Sequence, residues 1–362
     1  MLKQRGGLLV GLVAFTLFLL WFVSVRQSLL FLVGIGFGLV LAGLRFGFTT
    51  GWRNFIEQRD PSGILAQLLL LALAASLSLP LLAQHPAELS AALGPPSISL
   101  LVGALVFGAA MQLADGCGSG TLYKAGLGIP LNMAILPLFA LGSFLGSAHL
   151  GWWLNLGTMA PVSLLESTNL PTALVSTLLG LAAIAALVLW LSRGRHQGPV
   201  INRTLMIGAV LLALLAVLNL VIAGQPWGIV YGFGLWGAKA ATALHLFDPT
   251  HNAFWGQATH YSTLQQSVLL DLTTITNLGI LAGALLVFAG RPKPKQRLNA
   301  KQWAVGLMAG FVLGYSSRLA FGCNVGAMVS GISTGSLHGW LWVVLAFMGS
   351  FVGLRLRRQL QY

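Results

Sequence analysis

Apolar residues run along this chain in long blocks, without the alternation of a half-buried strand or the one-sided spacing of a surface helix. Residues 8–23, 28–44, 64–83, 97–114, 131–150, 172–191, 205–223, 268–289, 303–320 and 337–353 are predominantly apolar, with most of the charge gathered between them. Roughly 20 such residues suffice to cross a bilayer core as a helix. A helix apolar on all sides belongs inside a bundle or against lipid. The pattern therefore predicts an all-α polytopic membrane protein with nine or ten full spans. Lys3 and Arg5 precede the first block, and no A-x-A cleavage site follows it. We read it as an uncleaved span starting in the cytoplasm. Pro137 is expected to interrupt the fifth block. The stretch 227–247 differs from the rest: Gly228, Gly232, Gly234 and Gly237 break it, and it carries Lys239 and His245. It is expected to dip into the membrane and return.

One segment occurs twice. Gly108, Leu113, Ala114, Gly116, Cys117 and Gly120 recur as Gly314, Leu319, Ala320, Gly322, Cys323 and Gly326, each 206 positions later. The shared frame G-x4-L-A-x-G-C-x2-G includes both cysteines of the chain. A weaker third copy is Phe46-Gly47-Phe48 to Gly51, with Phe48 in the place of the cysteine. Phe233-Gly234-Leu235-Trp236-Gly237, with one deletion, reads as a faint fourth. The chain is expected to form a single transport domain over 1–362, with internal repeats at approximately 1–150 and 203–362.

Composition agrees with the blocks. Of 362 residues 56% are hydrophobic and 7% charged, and the mean hydropathy is +0.84; soluble domains carry about 25% charged residues. The net charge of +13 lies between apolar blocks, which points to cytoplasmic loops and excludes a nucleic-acid surface. If 227–247 dips, every basic loop falls on one side, including 291–301, and both termini are cytoplasmic. The loops near Glu88 and Glu166 then lie outside. The span before Cys117 runs inward and the span before Cys323 outward, so the two copies become inverted repeats whose broken helices face each other near the midplane.

Irregular backbone at membrane depth is tolerated where it is buried in protein or lines a cavity. A Gly-Cys-x-x-Gly break followed by a short helix offers unpaired N–H groups and a positive dipole end, an anion site. Candidate substrate-binding residues are Cys117 and Cys323, with Gly116, Gly120, Gly322 and Gly326 shaping the breaks. Lys124, Arg318 and His338 add positive charge nearby in sequence. Two cysteines so far apart make no disulfide scaffold, and no CxxC or CxxCH pair offers zinc or haem a site. No cofactor or metal is expected. No GxxxxGK[ST] suggests ATP hydrolysis.

The blocks DGCGSGTLYKAG at 115–126 and FGCNVGAMVSGISTGSLHGW at 321–340 resemble the signature segments of the YeeE/YedE family, as does 45–60. The resemblance implies an hourglass-shaped bacterial inner-membrane protein with re-entrant half-helices meeting at the waist. It implies a permease, not an enzyme, that takes up thiosulfate or a closely related sulfur anion. Cys117 and Cys323 would contact the ion on its path. Thiosulfate transporters of the family typically have a further cysteine where this chain has Phe48. Other members are linked to selenium or pair with a small sulfur-carrier protein. Two alternatives follow: a transporter of a selenium compound or another sulfur species, and a membrane sulfurtransferase carrying persulfide on its cysteines.

Overall fold

The computed structural model describes residues 2–289 and 298–360, and its regular structure is helical apart from two isolated bridges. The helices are α1 (Leu2–Phe22), α2 (Val25–Gly43), α3 (Phe48–Gln58), α4 (Ser62–Gln84), α5 (Ile98–Leu113), α6 (Gly118–Gly126), α7 (Pro130–Ala148) and α8 (Leu150–Asn155). They continue with α9 (Leu164–Ser167), α10 (Leu170–Ser192), α11 (Arg203–Ala223), α12 (Val230–Ala243), α13 (Ala258–Gln265), α14 (Leu272–Phe288), α15 (Ala300–Leu319) and α16 (Leu337–Gln359). Between α15 and α16 the chain winds as a wide π-type segment, Asn324–Gly331. Among the described residues, nine helical stretches are long and apolar enough to cross a membrane. The protein is an all-α polytopic membrane protein.

Two expectations need correcting. Pro137 lies inside α7 without breaking it; a bundle can re-satisfy the backbone group a proline frees. The block 268–289 is shorter as a helix than as an apolar run. Val268–Leu270 is a 3-10 turn, and α14 begins after it with Asp271 as N-cap, its carboxylate accepting from Thr274 N at 2.7 Å. At 17 residues α14 falls short of the nine long stretches.

Small residues let the helices approach backbone to backbone. Gly34 and Gly38 of α2 lie on Gly279 and Gly283 of α14. Gly108 of α5 faces the Ala346 carbonyl of α16, and Gly314 of α15 faces the Phe139 carbonyl of α7. A methyl at Gly108 would sit 2.0 Å from Ala346 O, and one at Gly314 2.2 Å from Phe139 O. The α5–α16 and α15–α7 pairs are thus built alike, and α2–α14 has a counterpart in α4–α11.

The connections gather at two ends. At one, Ser90 bonds Gly224, Ala92 bonds Thr334, Leu164 bonds Gly335 and Asn252 bonds Ala148. At the other, Asp60 faces His196, Asp115 faces Arg53, Lys124 and Arg357, and Glu57 faces Arg358. The grouping follows the charge pattern of the sequence. Residues 291–297 of its most basic loop lie outside the described residues.

Candidate functional site

Four long helices stop short, and each is followed by a short helical segment: α2 by α3, α5 by α6, α11 by α12, and α15 by Asn324–Gly331. Each short segment opens in a Gly-x-x-x-Gly frame. The frames are Gly47–Gly51, Gly116–Gly120, Gly228–Gly232 and Gly322–Gly326, with Phe48, Cys117, Ile229 and Cys323 as the second residue. A Gly-x-x-x-Gly frame without deletion thus lies at 228–232, just before the 233–237 echo expected from the sequence. The expected echo was aligned on Phe-Gly; Trp227 precedes Gly228, and α12 starts at Val230.

The two cysteine copies share two backbone hydrogen bonds. Gly116 N donates to Met111 O at 3.1 Å and Gly322 N to Ser317 O at 2.8 Å. Thr121 N donates to Cys117 O, and Ala327 N to Cys323 O, each at 2.8 Å. Asp115 and Phe321, just before the glycines, are both left-handed, with φ of 53° and 55°. Gly322 itself has φ of 150°, and a methyl there would come within 2.5 Å of Ala327 N, so only glycine fits. These turns stop the preceding helix and start a new short segment at one spot.

That spot is buried and shared. A methyl placed on Gly118, the first residue of α6, would lie 3.2 Å from Cys323 Sγ and 3.4 Å from Ile229 Cγ2. The starts of α6, α12 and the π segment therefore meet. On its other side α6 shares a narrow cleft with α3, lined by Gly47, Phe48, Thr50, Gly116, Cys117 and Lys124 among others. Cys117 and Cys323 are free thiols, 1% and 0% exposed. Cys117 Sγ lies 3.4 Å from Ser119 Oγ. The backbone amides of Ser119 and Gly120 lie at the Cys117 sulfur, and those of Val325 and Gly326 at that of Cys323. Gly120 has only the Cys117 sulfur nearby, 3.6 Å from where a methyl would be, and Gly326 has nothing within 4 Å.

Each of the four breaks also carries a buried polar group with no partner: Thr49 Oγ1, Thr121 Oγ1, Trp227 Nε1, and both amide atoms of Asn324. Buried polar atoms are nearly always bonded; among the described residues other unpartnered ones, such as Thr177 Oγ1, Thr242 Oγ1 and Trp255 Nε1, lie away from the breaks. Sequence reasoning missed Asn324 and Trp227. The fourth Gly-x-x-x-Gly frame was the signal that could have found Trp227 and Ile229.

The expected cations are placed differently. Lys124 Nζ binds the Asp115 carboxylate at 2.7 Å and also its carbonyl, while Arg53 binds the same carboxylate at 2.8 Å. Three cations, counting Arg357 at 3.9 Å, surround one carboxylate at the mouth of the cleft. Arg318 is away from the thiols. Its Nε donates to Ser147 Oγ at 2.6 Å and its guanidinium lies over Phe254 and Tyr231. His338 is 1% exposed, and Ser336 Oγ at 2.6 Å and Gly94 N at 3.2 Å both reach its Nδ1. That ring ties the start of α16 to the loop before α5, and its Nε2 is buried with no hydrogen-bond partner among the described residues. Beside Arg318, His260 lies outside the spans. Burial and then the Arg318 charge lower its pKa to about 4, leaving it neutral at neutral pH. Among the described residues no group of three or more His, Cys, Asp or Glu could hold a metal ion.

Comparison with known proteins follows the same line. A family model described as sulphur transport matches residues 44–352. The thiosulfate transporter TsuA of Spirochaeta thermophila is 28% identical, over 88% of this chain and 96% of its own. The probable transporter YedE of Escherichia coli is 32% identical over 37% of this chain and 33% of its own length, and YedE of Salmonella typhimurium is 31% identical over the same shares.

Proposed function

The chain belongs to the sulphur-transport (YeeE/YedE) family, and from that premise we propose that it takes up thiosulfate or a closely related sulfur anion across the bacterial inner membrane. That it is a sulfur-compound transporter, and not an enzyme, follows from the family and the relatives. The finer reading rests on one observation: the buried thiols of both copied motifs stand at the starts of short helical segments that touch. The free N–H groups and dipole ends supply positive potential without a fixed charge that would trap the ion. A thiol can donate a weak S–H bond, and its polarisable sulfur suits a sulfur-bearing anion. The ion would pass from one thiol to the other across the α6 start, with Asn324 and Thr121 as further hydrogen-bonding groups.

The paired helices support an inverted repeat over approximately 1–150 and 203–362. A two-fold operation exchanging α5 with α15 and α7 with α16 maps the α5–α16 pair onto α15–α7. With α2 exchanged for α11 and α4 for α14, α2–α14 maps onto α11–α4. Two short helices would then enter from each side and meet at a waist, giving the hourglass. A small cytoplasmic sulfur-carrier protein receiving the ion is a further part of this reading.

Purified protein in sealed vesicles, given labelled thiosulfate, sulfite, sulfate and selenite, tests the proposal. Intact thiosulfate should accumulate, and Cys117→Ala or Cys323→Ala should each reduce uptake at least tenfold with unchanged protein content. Release of sulfur with no ion inside would favour a sulfurtransferase. Phe48, 1% exposed and packed edge-on against Phe46 at 5.5 Å, fills the place of a third cysteine. It favours a second reading, a different sulfur or selenium anion, which preferential selenite or sulfite uptake would establish.

A further inference from the structure

Arg318 stands on the last turn of α15, on the side where the loops 85–96 and 249–270 gather. Only its Nε is bonded, to Ser147 Oγ at 2.6 Å. Both Nη groups, the pair that grips a carboxylate or oxoanion in parallel, make no hydrogen bond within the described residues. Its charge lies 4.9 Å from the Phe254 ring centroid and 5.7 Å from that of Tyr231. Those rings are themselves fixed. His260 stacks on Phe254 at 4.1 Å, and its Nδ1 meets the Tyr231 hydroxyl at 3.1 Å. Trp255, fully buried, packs edge-on against Phe254 at 5.0 Å.

No carboxylate pairs with this arginine among the described residues. Asp271, on the neighbouring α14 start, accepts from Thr274 N instead, and its charge is felt by Lys239. The contrast with the other end is sharp, since Arg53 and Lys124 share Asp115. A partly buried cation at membrane depth with no counter-ion is costly to keep, and such residues mark ion paths. Aromatic faces offset some of that cost and leave the charge unneutralised. Tyr231 also lies two residues after Ile229, whose side chain touches the α6 start beside Cys323. The cluster itself includes no thiol.

We propose that Arg318, with Ser147 holding it and Tyr231, Phe254 and His260 walling it, forms a second anion site that receives a small divalent oxoanion before it reaches the thiols. The inference rests on the transport reading for its choice of anion. The site reads charge and oxygen geometry, and the thiols read sulfur. Sulfate should therefore bind here and advance no further, whereas a sulfur-tipped anion is passed on.

Equilibrium dialysis of the purified full-length chain with labelled thiosulfate separates the two sites. The Cys117→Ala/Cys323→Ala variant should keep its Kd within threefold of wild type, with sulfate as a full competitor. Adding Arg318→Gln should weaken binding at least tenfold, and Arg318→Lys, which keeps charge and loses the fork, at least threefold. In uptake, Arg318→Gln should raise KM and leave the maximal rate within threefold, opposite to Cys323→Ala. Binding lost with the two cysteines alone, or unchanged in a monodisperse Arg318→Gln variant, would overturn the site. Should the Gln variant aggregate, an unchanged Kd in Arg318→Lys overturns it equally. Phosphatidylglycerol binding that thiosulfate and sulfate do not displace would assign the arginine to a lipid headgroup and also overturn it. Arg318-dependent binding in a protein that transports none of the tested anions would leave the site standing and remove the transport proposal. Cysteine-dependent uptake with Arg318-independent binding would do the reverse.

Discussion

Gly322 and Gly326 stand four residues apart and are glycine for opposite reasons. Gly322 has no alternative, because its φ of 150° and the Ala327 amide leave no room for a side chain. A methyl at Gly326 would meet nothing within 4 Å. In a helical segment, glycine is worth about 0.8–1.0 kcal/mol less than alanine, so a glycine with free space around it has been kept for something other than packing. If that space carries the ion, Gly326→Ala should leave thermal stability equal or slightly raised and lower uptake, and Gly326→Leu should abolish it. Equal uptake in the alanine and leucine variants would remove Gly326 from the path. Asn324 offers a companion test. Its amide is unpaired, so Asn324→Leu removes a buried polar group at little cost to folding; a lost hydrogen bond to a charged ligand is worth about 1.5–3 kcal/mol. Uptake should fall roughly 10- to 100-fold with abundance unchanged. Phe48→Cys is less clean, because deleting a buried ring leaves a cavity worth about 3–5 kcal/mol in the limit of Phe→Ala. It should still raise thiosulfate uptake in protein that reaches the membrane, measured per folded molecule.

The helix pairs are where stability resides, and their glycines behave unlike Gly326. A methyl at Gly108 would lie 2.0 Å from a carbonyl oxygen, and one at Gly349 2.0 Å from Leu105 O, so α5 and α16 must move apart. Overpacking of this kind costs typically about 1–3 kcal/mol, and more where backbone is the obstacle. Gly108→Leu should lower membrane abundance and melting temperature, while Cys323→Ala leaves both alone. This division also shows what the sequence could convey. Element existence was legible because an apolar block of span length has few other fates. The cysteine breaks were legible because they are copied at a fixed offset. The frame at 228–232 was passed over because Ile229 and Trp227 offer no chemical cue, only the spacing of Gly228 and Gly232. Pro137 misled because its effect depends on what surrounds α7. The roles of Lys124, Arg318 and His338 were unreadable, since their partners Asp115, Tyr231, Phe254 and Gly94 are set by packing.

For the molecule as a whole, the segregation of connections to two ends makes orientation a testable matter. One end collects Arg53, Lys124, His196, Arg357 and Arg358 around three carboxylates. The other carries the tryptophans of α8, the 85–96 loop and the aromatic cluster over Arg318. Basic residues are retained on the cytoplasmic side, so the first end should face the cytoplasm and the Arg318 end the periplasm. Both termini and residues 291–301 should then be cytoplasmic. Single cysteines can be placed at His196 and at His251, in a chain whose own thiols are replaced by alanine. In intact spheroplasts a membrane-impermeant maleimide should label His251→Cys and spare His196→Cys, and lysis should expose both. The converse labelling would turn the molecule over and make Arg318 the exit and Asp115 the entrance. Labelling of both in intact cells would defeat the two-ended arrangement, and the inverted repeat with it. On the proposed reading, that orientation would set the order of events: Arg318 would meet the ion outside, the two thiols would carry it through the waist, and the cations shared with Asp115 would release it inside.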